Sequence, residues 1–155
     1  MEKSVKTAGQ LVQESGLGVV SVGPDEPVMA VLRAMADRNV SGVLVIDNGQ
    51  LVGIITERDC ALKVQLQGRT AKDTCAHEIM THEAVCVSAD ASSEHCMAVM
   101  RNRGVRHLPV MEQGNVIGML SLRDVLEEVV AEDEHLIKDL EHERIEYRGD
   151  TGGSY

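Results

Sequence analysis

Apolar positions along this chain keep two different periods. Val28, Val31, Leu32 and Met35 recur at i, i+3, i+4 and i+7. That is the stripe of an amphipathic helix, whose apolar face must pack on something. Two β-rich runs follow at 43–46 and 51–55, and Asp47-Asn48-Gly49-Gln50 between them reads as a hairpin connection. A short apolar run at 19–22 predicts a strand before the helix, and Gly23-Pro24-Asp25-Glu26-Pro27 ends it. A second amphipathic helix is predicted over about 56–66. The unit reads strand, helix, strand, strand, helix.

A shift of 65 residues lays a second copy on the first without a gap. Val20-Ser21-Val22 falls on Val85-Cys86-Val87, Met35 on Met100, Arg38 on Arg103, and Val40 on Val105. Gly49 falls on Gly114, Gly53 on Gly118, and Arg58-Asp59 on Arg123-Asp124. One supersecondary unit is therefore used twice. In the second copy the first strand is expected at 84–87, and Ser88-Ala89-Asp90 opens the helix with Ser or Asp as N-cap. Cys96, Met97 and Met100 carry the stripe, and core is the expected place for these methionines and for Met35. Glu112-Gln113-Gly114-Asn115 makes the hairpin. Pro109 lacks an N–H, which predicts an edge or an irregular point of its sheet.

The connector 67–80 reads as a loop leading into a short helix around 75–80, and 7–14 plays the same role before the first unit. The closing helix of the second copy is expected to run on to about Tyr147. Between Glu127 and Glu146 it holds nine acids against Lys138 and Arg144, so −9 + 2 = −7 of the net charge lies there. Its apolar Val129, Val130, Leu136, Ile137 and Leu140 would face a partner helix, or the segment is a solvated acidic helix. Residues 150–155 read as a loose tail. The expected class is α+β, divided into an N-terminal segment 1–18, repeat 1 at 19–66, a linker 67–83, repeat 2 at 84–131 and an acidic helical tail 132–155.

Composition removes several functions. The 155 residues carry a net charge of −10, the wrong sign for a nucleic-acid footprint. There is no Phe or Trp, and the two tyrosines are Tyr147 and Tyr155, so base-stacking platforms are not expected. No apolar run approaches the roughly 20 residues of a membrane span, and the N-terminus shows no secretory h-region. A cytoplasmic protein with reduced Cys60, Cys75, Cys86 and Cys96 is the expectation, the thiols acting as small hydrophobes. The six histidines are His77, His82, His95, His107, His135 and His142. Neither Cys75-x-His77 nor His95-Cys96 belongs to a cluster with ligand spacing, so no metal site is expected. Gly16-Leu17-Gly18 lacks the third glycine of a dinucleotide fingerprint, there is no Walker A sequence, and no nucleophile–base set emerges. An enzyme is not expected.

The motif carrying chemistry is Gly-φ-φ-[Thr/Ser]-x-Arg-Asp, where φ is apolar. The copies are Gly53-Ile54-Ile55-Thr56-Glu57-Arg58-Asp59 and Gly118-Met119-Leu120-Ser121-Leu122-Arg123-Asp124. A hydroxyl followed three residues later by an acid resembles a capping box. The same residues also suit a nucleotide. A hydroxyl and free N–H groups at a helix start favour phosphate, the Arg adds a donor fork, and the Asp can accept from a ribose diol. The preceding glycine permits close approach. Capping leaves the Arg in both copies unexplained.

These matched motifs, with Arg106-His107-Leu108-Pro109-Val110, resemble a tandem of cystathionine-β-synthase (CBS) domains, a Bateman module, over about residues 7–135. The resemblance implies two sheets facing each other with pseudo-two-fold symmetry and a flat homodimer formed through helices. It implies a regulatory module that binds an adenosine-containing ligand between the repeats and signals to an unidentified partner. AMP is favoured, with ADP, ATP, NAD(H) and S-adenosylmethionine as candidates. In the family the Asp contacts ribose and the hydroxyl lies near phosphate, which implies Asp59 with Thr56 and Asp124 with Ser121. Arg106 and His107 match a basic pair that reaches phosphates in some members. The first copy has Ser41-Gly42 there, so the two sites are not expected to be equivalent. The alternatives are an interaction scaffold whose motifs are only caps, and a thiol or metal sensor.

Overall fold

The computed structural model describes residues 6–134. Repeat 1 contains β1 (Ser21–Val22), α2 (Val28–Arg38), β2 (Gly42–Asp47), β3 (Gln50–Thr56) and a closing helix α3. The closing helix starts at Glu57–Asp59 and continues as a π-helical stretch, Cys60–Gln65. Repeat 2 contains β4 (Val87–Ser88), α5 (Ser93–Arg103), β5 (His107–Glu112), β6 (Asn115–Ser121) and α6 (Leu122–Glu132). Two further helices precede the repeats, α1 (Ala8–Ser15) and α4 (Ala76–Ile79).

Each repeat builds a three-stranded sheet in which the middle strand runs parallel to the first and antiparallel to the third. The hairpins turn as their residues dictate. Asn48-Gly49 and Gln113-Gly114 both take positive φ, 49° and 78° in one copy and 50° and 79° in the other, the geometry that matches the twist of flanking strands. The helical stripes bury Val28, Val31 and Met35 in repeat 1 and Cys96 and Met100 in repeat 2. Met97 packs partly buried against the second core, whereas Leu32 stays 36% exposed.

Several expectations are corrected. The cap of α5 is Ser92, whose Oγ accepts from the His95 N–H at 3.1 Å, and not Ser88 or Asp90. For Pro109 one of the two expected places holds and the other does not: it lies in the central strand of its sheet, at an irregular point and not at an edge. In repeat 1 the Leu44 N–H donates to Val20 O at 3.0 Å, and Ser21 pairs with Leu44. Pro109 occupies that place in repeat 2 and has no N–H to donate. The parallel ladder therefore begins one pair later, at Val87 and Val110. The closing helix of repeat 2 ends at Glu132 with Asp133 as its C-cap, and the rest of the helix expected to Tyr147, with the tail at 150–155, falls outside the described residues.

The leading helices are exchanged. Ala8, Leu11 and Val12 of α1 belong to the core of repeat 2, while Ala76 and Ile79 of α4 belong to the core of repeat 1. Backbone bonds seal both: Ala8 N–H to Ala91 O at 2.7 Å, and Ala76 N–H to Glu26 O at 2.8 Å. Thr7 and Cys75 hold matching N-cap positions. Gly53 and Gly118 serve this exchange. A Cβ on Gly53 would lie 2.6 Å from Met80 Sδ, and one on Gly118 would overlap Val12 Cγ1. The close approach these glycines permit is thus of a covering helix, not of a ligand. With α1 and α4 crossed over, the sheets meet at β3 and β6 in a pseudo-two-fold arrangement.

Candidate functional site

Each motif turns the corner from the last strand of a sheet into the closing helix. Thr56 and Ser121 are the N-caps, both in extended conformation. Asp59 Oδ2 accepts from the Thr56 N–H at 2.9 Å and from its hydroxyl at 3.2 Å. Asp124 Oδ2 accepts from the Ser121 N–H at 2.8 Å and from its hydroxyl at 2.9 Å. The reciprocal bonds, Asp59 N–H to Thr56 Oγ1 and Asp124 N–H to Ser121 Oγ, complete a capping box in each repeat. The first-turn donors are largely used: the Glu57 N–H goes to Ser41 O and the Leu122 N–H to Arg106 O. That leaves the cationic side chains, more than the helix start, to meet a phosphate.

Capping uses one oxygen of each Asp and does not turn it from solvent space. Asp124 lines a cleft of about 1310 Å³, with Ser121 and Arg123, opposite Asn39, Val40, Ser41 and Gly42 of the other repeat. Asp59 lines a second cleft of about 620 Å³, with Thr56 and Arg58, opposite Gly104, Val105, Arg106 and His107. The motif of each repeat thus faces the loop before the central strand of the other. All ten residues expected from the sequence fall on these two clefts, paired across the repeats. Small-ligand sites run from roughly 300 to 1,000 Å³, so the second cleft has the size of one and the first exceeds it.

Ser41, Glu57, Arg106 and His107 line both clefts and form the septum between them. His107 Nε2 and Ser41 Oγ lie 2.9 Å apart across the repeats. The residue matching His107 is Gly42, and a Cβ there would sit 2.8 Å from His107 Cδ2. One imidazole thereby fills space that two side chains could not share. Burial holds His107 below its ordinary pKa of 6.5, with Asp124 and Glu57 opposing and Arg106 reinforcing the shift, so the ring is neutral at pH 7.

The cations differ in availability. Arg123 Nε pairs with Glu127 Oε1 at 3.1 Å on the surface, whereas Arg58 has no hydrogen-bond or ion-pair partner among the described residues. The residues that sequence reasoning passed over are the aliphatic walls. Leu17, Leu32, Met119, Leu126 and Val130 line the Asp124 cleft, and Ile54 and Val85 the other. Three of these sit on helices and stay open, Leu32 at 36% exposure, Leu126 at 44% and Val130 at 47%; the loop and strand residues Leu17, Ile54, Val85 and Met119 carry no signal in the sequence.

The cysteines are unpaired, with Cys96 buried and Cys86 exposed. Burial pushes the thiols of Cys60, Cys86 and Cys96 up, and Asp59 and Glu57 add to the effect at Cys60, which disfavours the reactive thiolate. Among the described residues no three His, Cys, Asp or Glu side chains gather as a metal cluster. No helix among them is long and apolar enough to cross a membrane.

Two capped motifs on paired clefts, related by a pseudo-two-fold, define a duplicated ligand-binding module. The CBS domain family model matches residues 16–65 and 76–131, and the chain belongs to that family. It is 36% identical over 113 residues to CBS domain-containing protein CBSX3, mitochondrial, of Arabidopsis thaliana, across 70% of this chain and 55% of that protein. It is 32% identical to CBS domain-containing protein YhcV of Bacillus subtilis (strain 168), across 69% of this chain and 76% of that one. The chain thus spans little more than half the length of the first relative. A solved CBS-domain crystal structure aligns with a TM-score of 0.76 and 41% identity, covering 82% of this chain and 99% of that one. A CBS pair is typically a regulatory ligand-binding module, and CBS domains generally bind adenosine-containing ligands.

Proposed function

We propose that this chain senses an adenine nucleotide in the clefts between its repeats and passes the occupancy to a partner protein without catalysis. The observation carrying this reading is that both motif carboxylates are held by their caps at the wall of a cleft, each beside an arginine. A ribose diol donates to the Asp, a phosphate reaches the arginines with Arg106, and the purine lies on the aliphatic walls, since the chain has no Phe or Trp and its two tyrosines are Tyr147 and Tyr155. AMP-like ligands fit best, since one Asp and a short run of cations serve one sugar and one phosphate. ADP, ATP, NAD(H) and S-adenosylmethionine share the adenosine part.

The energy is sufficient. Micromolar affinity needs about 8 kcal/mol. Two or three charged hydrogen bonds at about 1.5–3 kcal/mol each, with burial of a purine, reach it after ordering costs. Four unpaired cysteines fit a reducing compartment such as the cytoplasm. Leu62 at 40% exposure and Leu66 at 70% favour association of two copies through the closing helix of repeat 1, which light scattering tests.

Thermal-shift and calorimetric titration with AMP, ADP, ATP, NAD and S-adenosylmethionine test the nucleotide reading. Binding by wild type, lost in Asp59→Ala plus Asp124→Ala, is the expected result. No binding at roughly millimolar ligand, the weak end of the affinity scale, defeats it in favour of a scaffold whose motifs are only caps.

A further inference from the structure

Four residues beyond the motif Asp, the repeats carry opposite charges. Position 63 is Lys, and 65 residues on stands Glu128. Lys63 Nζ lies 3.1 Å from Asp59 Oδ1 and donates to Ile79 O at 2.9 Å. Asp59 Oδ2 is already taken by the cap, so both oxygens of this carboxylate have partners. Asp124 also spends Oδ2 on its cap, but among the described residues no cation pairs with its Oδ1. Glu128 turns to Lys6, 3.5 Å away, and so supplies nothing to Asp124.

We infer that Lys63 is a positioning residue that makes the clefts unequal toward a cis-diol: the Asp124 cleft takes the sugar first, and the Asp59 cleft takes it only by displacing the lysine or sharing the oxygen with it. This rests on the nucleotide reading. A diol needs acceptor lone pairs that are open. At Asp124 a whole oxygen is open. At Asp59 the diol must break or share an ion pair whose ammonium is also held by a backbone carbonyl. The Asp59 side chain is 15% exposed and that of Lys63 46%, so water screens the pair in part and the handicap it imposes is modest. Lys63 does not line the Asp59 cleft, so it acts through the carboxylate and not by touching the ligand.

Calorimetry with AMP on single-cleft variants tests this. Asp59→Ala leaves the Asp124 cleft, and Asp124→Ala leaves the Asp59 cleft. The first variant is expected to bind AMP about fivefold more tightly than the second, the range of an ion pair given up on binding. In the Asp124→Ala background, Lys63→Gln keeps a donor for the Ile79 carbonyl while removing the charge, and is expected to recover most of that factor. Lys63→Arg in the same background is expected to keep binding weak. The 2′,3′-dideoxy analogue of AMP has no diol to compete with the lysine, so its affinity for the Asp124→Ala protein is expected to be the same with and without Lys63→Gln. An unchanged AMP affinity in Lys63→Gln, or an equal gain for the dideoxy analogue, overturns the role of Lys63 while AMP binding itself stands. Tighter AMP binding by Asp124→Ala than by Asp59→Ala overturns the order of filling. Failure of wild type to bind any nucleotide removes the underlying reading as well.

Discussion

Repeat 1 and repeat 2 share a backbone plan and differ in the side chains set on it, some of them buried. Both have the hairpin with two positive-φ residues, the N-cap hydroxyl bonded to its Asp, and a glycine in the last strand under a covering helix. Against that shared plan, Leu44 stands opposite Pro109, Gly42 opposite His107, Ser41 opposite Arg106, and Lys63 opposite Glu128. The closing helix is α-helical in repeat 2 and turns π-helical after Asp59 in repeat 1, where the Leu66 N–H reaches back five residues to Ala61 O at 2.8 Å. The lesson is that turns and caps, which have few chemical solutions, stay the same through a duplication. Side chains outside those turns and caps are free to diverge, as where His107 of one repeat fills the space left by Gly42 of the other.

The largest expected contrast lies under the covering helices. Val12 is β-branched and stiff, whereas Met80 is unbranched and adaptable. Gly118→Ala is expected to cost about 2–3 kcal/mol by overpacking, and Gly53→Ala about 1 kcal/mol, as read by urea denaturation. Equal losses would show that α1 shifts as readily as the Met80 side chain. Next come the caps. Ser121→Ala is expected to cost about 1 kcal/mol, and Thr56→Ala less, since Lys63 still anchors Asp59; thermal melts of the two variants compare them. His107 adds a titration that only one repeat possesses. Its folded pKa is depressed, so the neutral ring contributes stability that is full above about pH 6.5 and is lost as pH falls through that value toward the folded pKa. The melting temperature of wild type minus that of His107→Asn is expected to fall on acidification across this window, with Asp124, Glu57 and Arg106 common to both proteins. The smallest effect belongs to Pro109→Leu. The new amide is expected to donate to Val85 O as Leu44 does to Val20 O, seen as slow hydrogen exchange at residue 109 with little change in stability.

How far the chain can be read in advance differs between elements. The stripe Val28, Val31 and Met35 and the pair Asn48-Gly49 declare themselves because burial and positive φ each demand particular residue types. The strand ladder around Pro109 is legible only as an irregularity, since an absent N–H does not say which neighbour lacks its partner. For the site, the ten residues on the clefts are legible as a repeated motif, a basic pair and the Ser41-Gly42 that matches that pair in the first copy. Their pairing across repeats is not, because Asp124 and Ser41 are far apart in sequence. Gly53 and Gly118 point toward a ligand in the sequence and toward a covering helix in the fold, since a glycine signals that something comes close without naming it.

Local chemistry, written in runs of a few residues, determined the elements, their order, the duplication, and the capped hydroxyl–acid pairs that give the motif its shape. Which helix covers which sheet, which loop faces which carboxylate, and which oxygen of an Asp is left open were decided only by the folded chain. Those are distances between residues such as Val12 and Gly118, or Lys63 and Ile79, that become neighbours when burial of apolar surface draws both cores together.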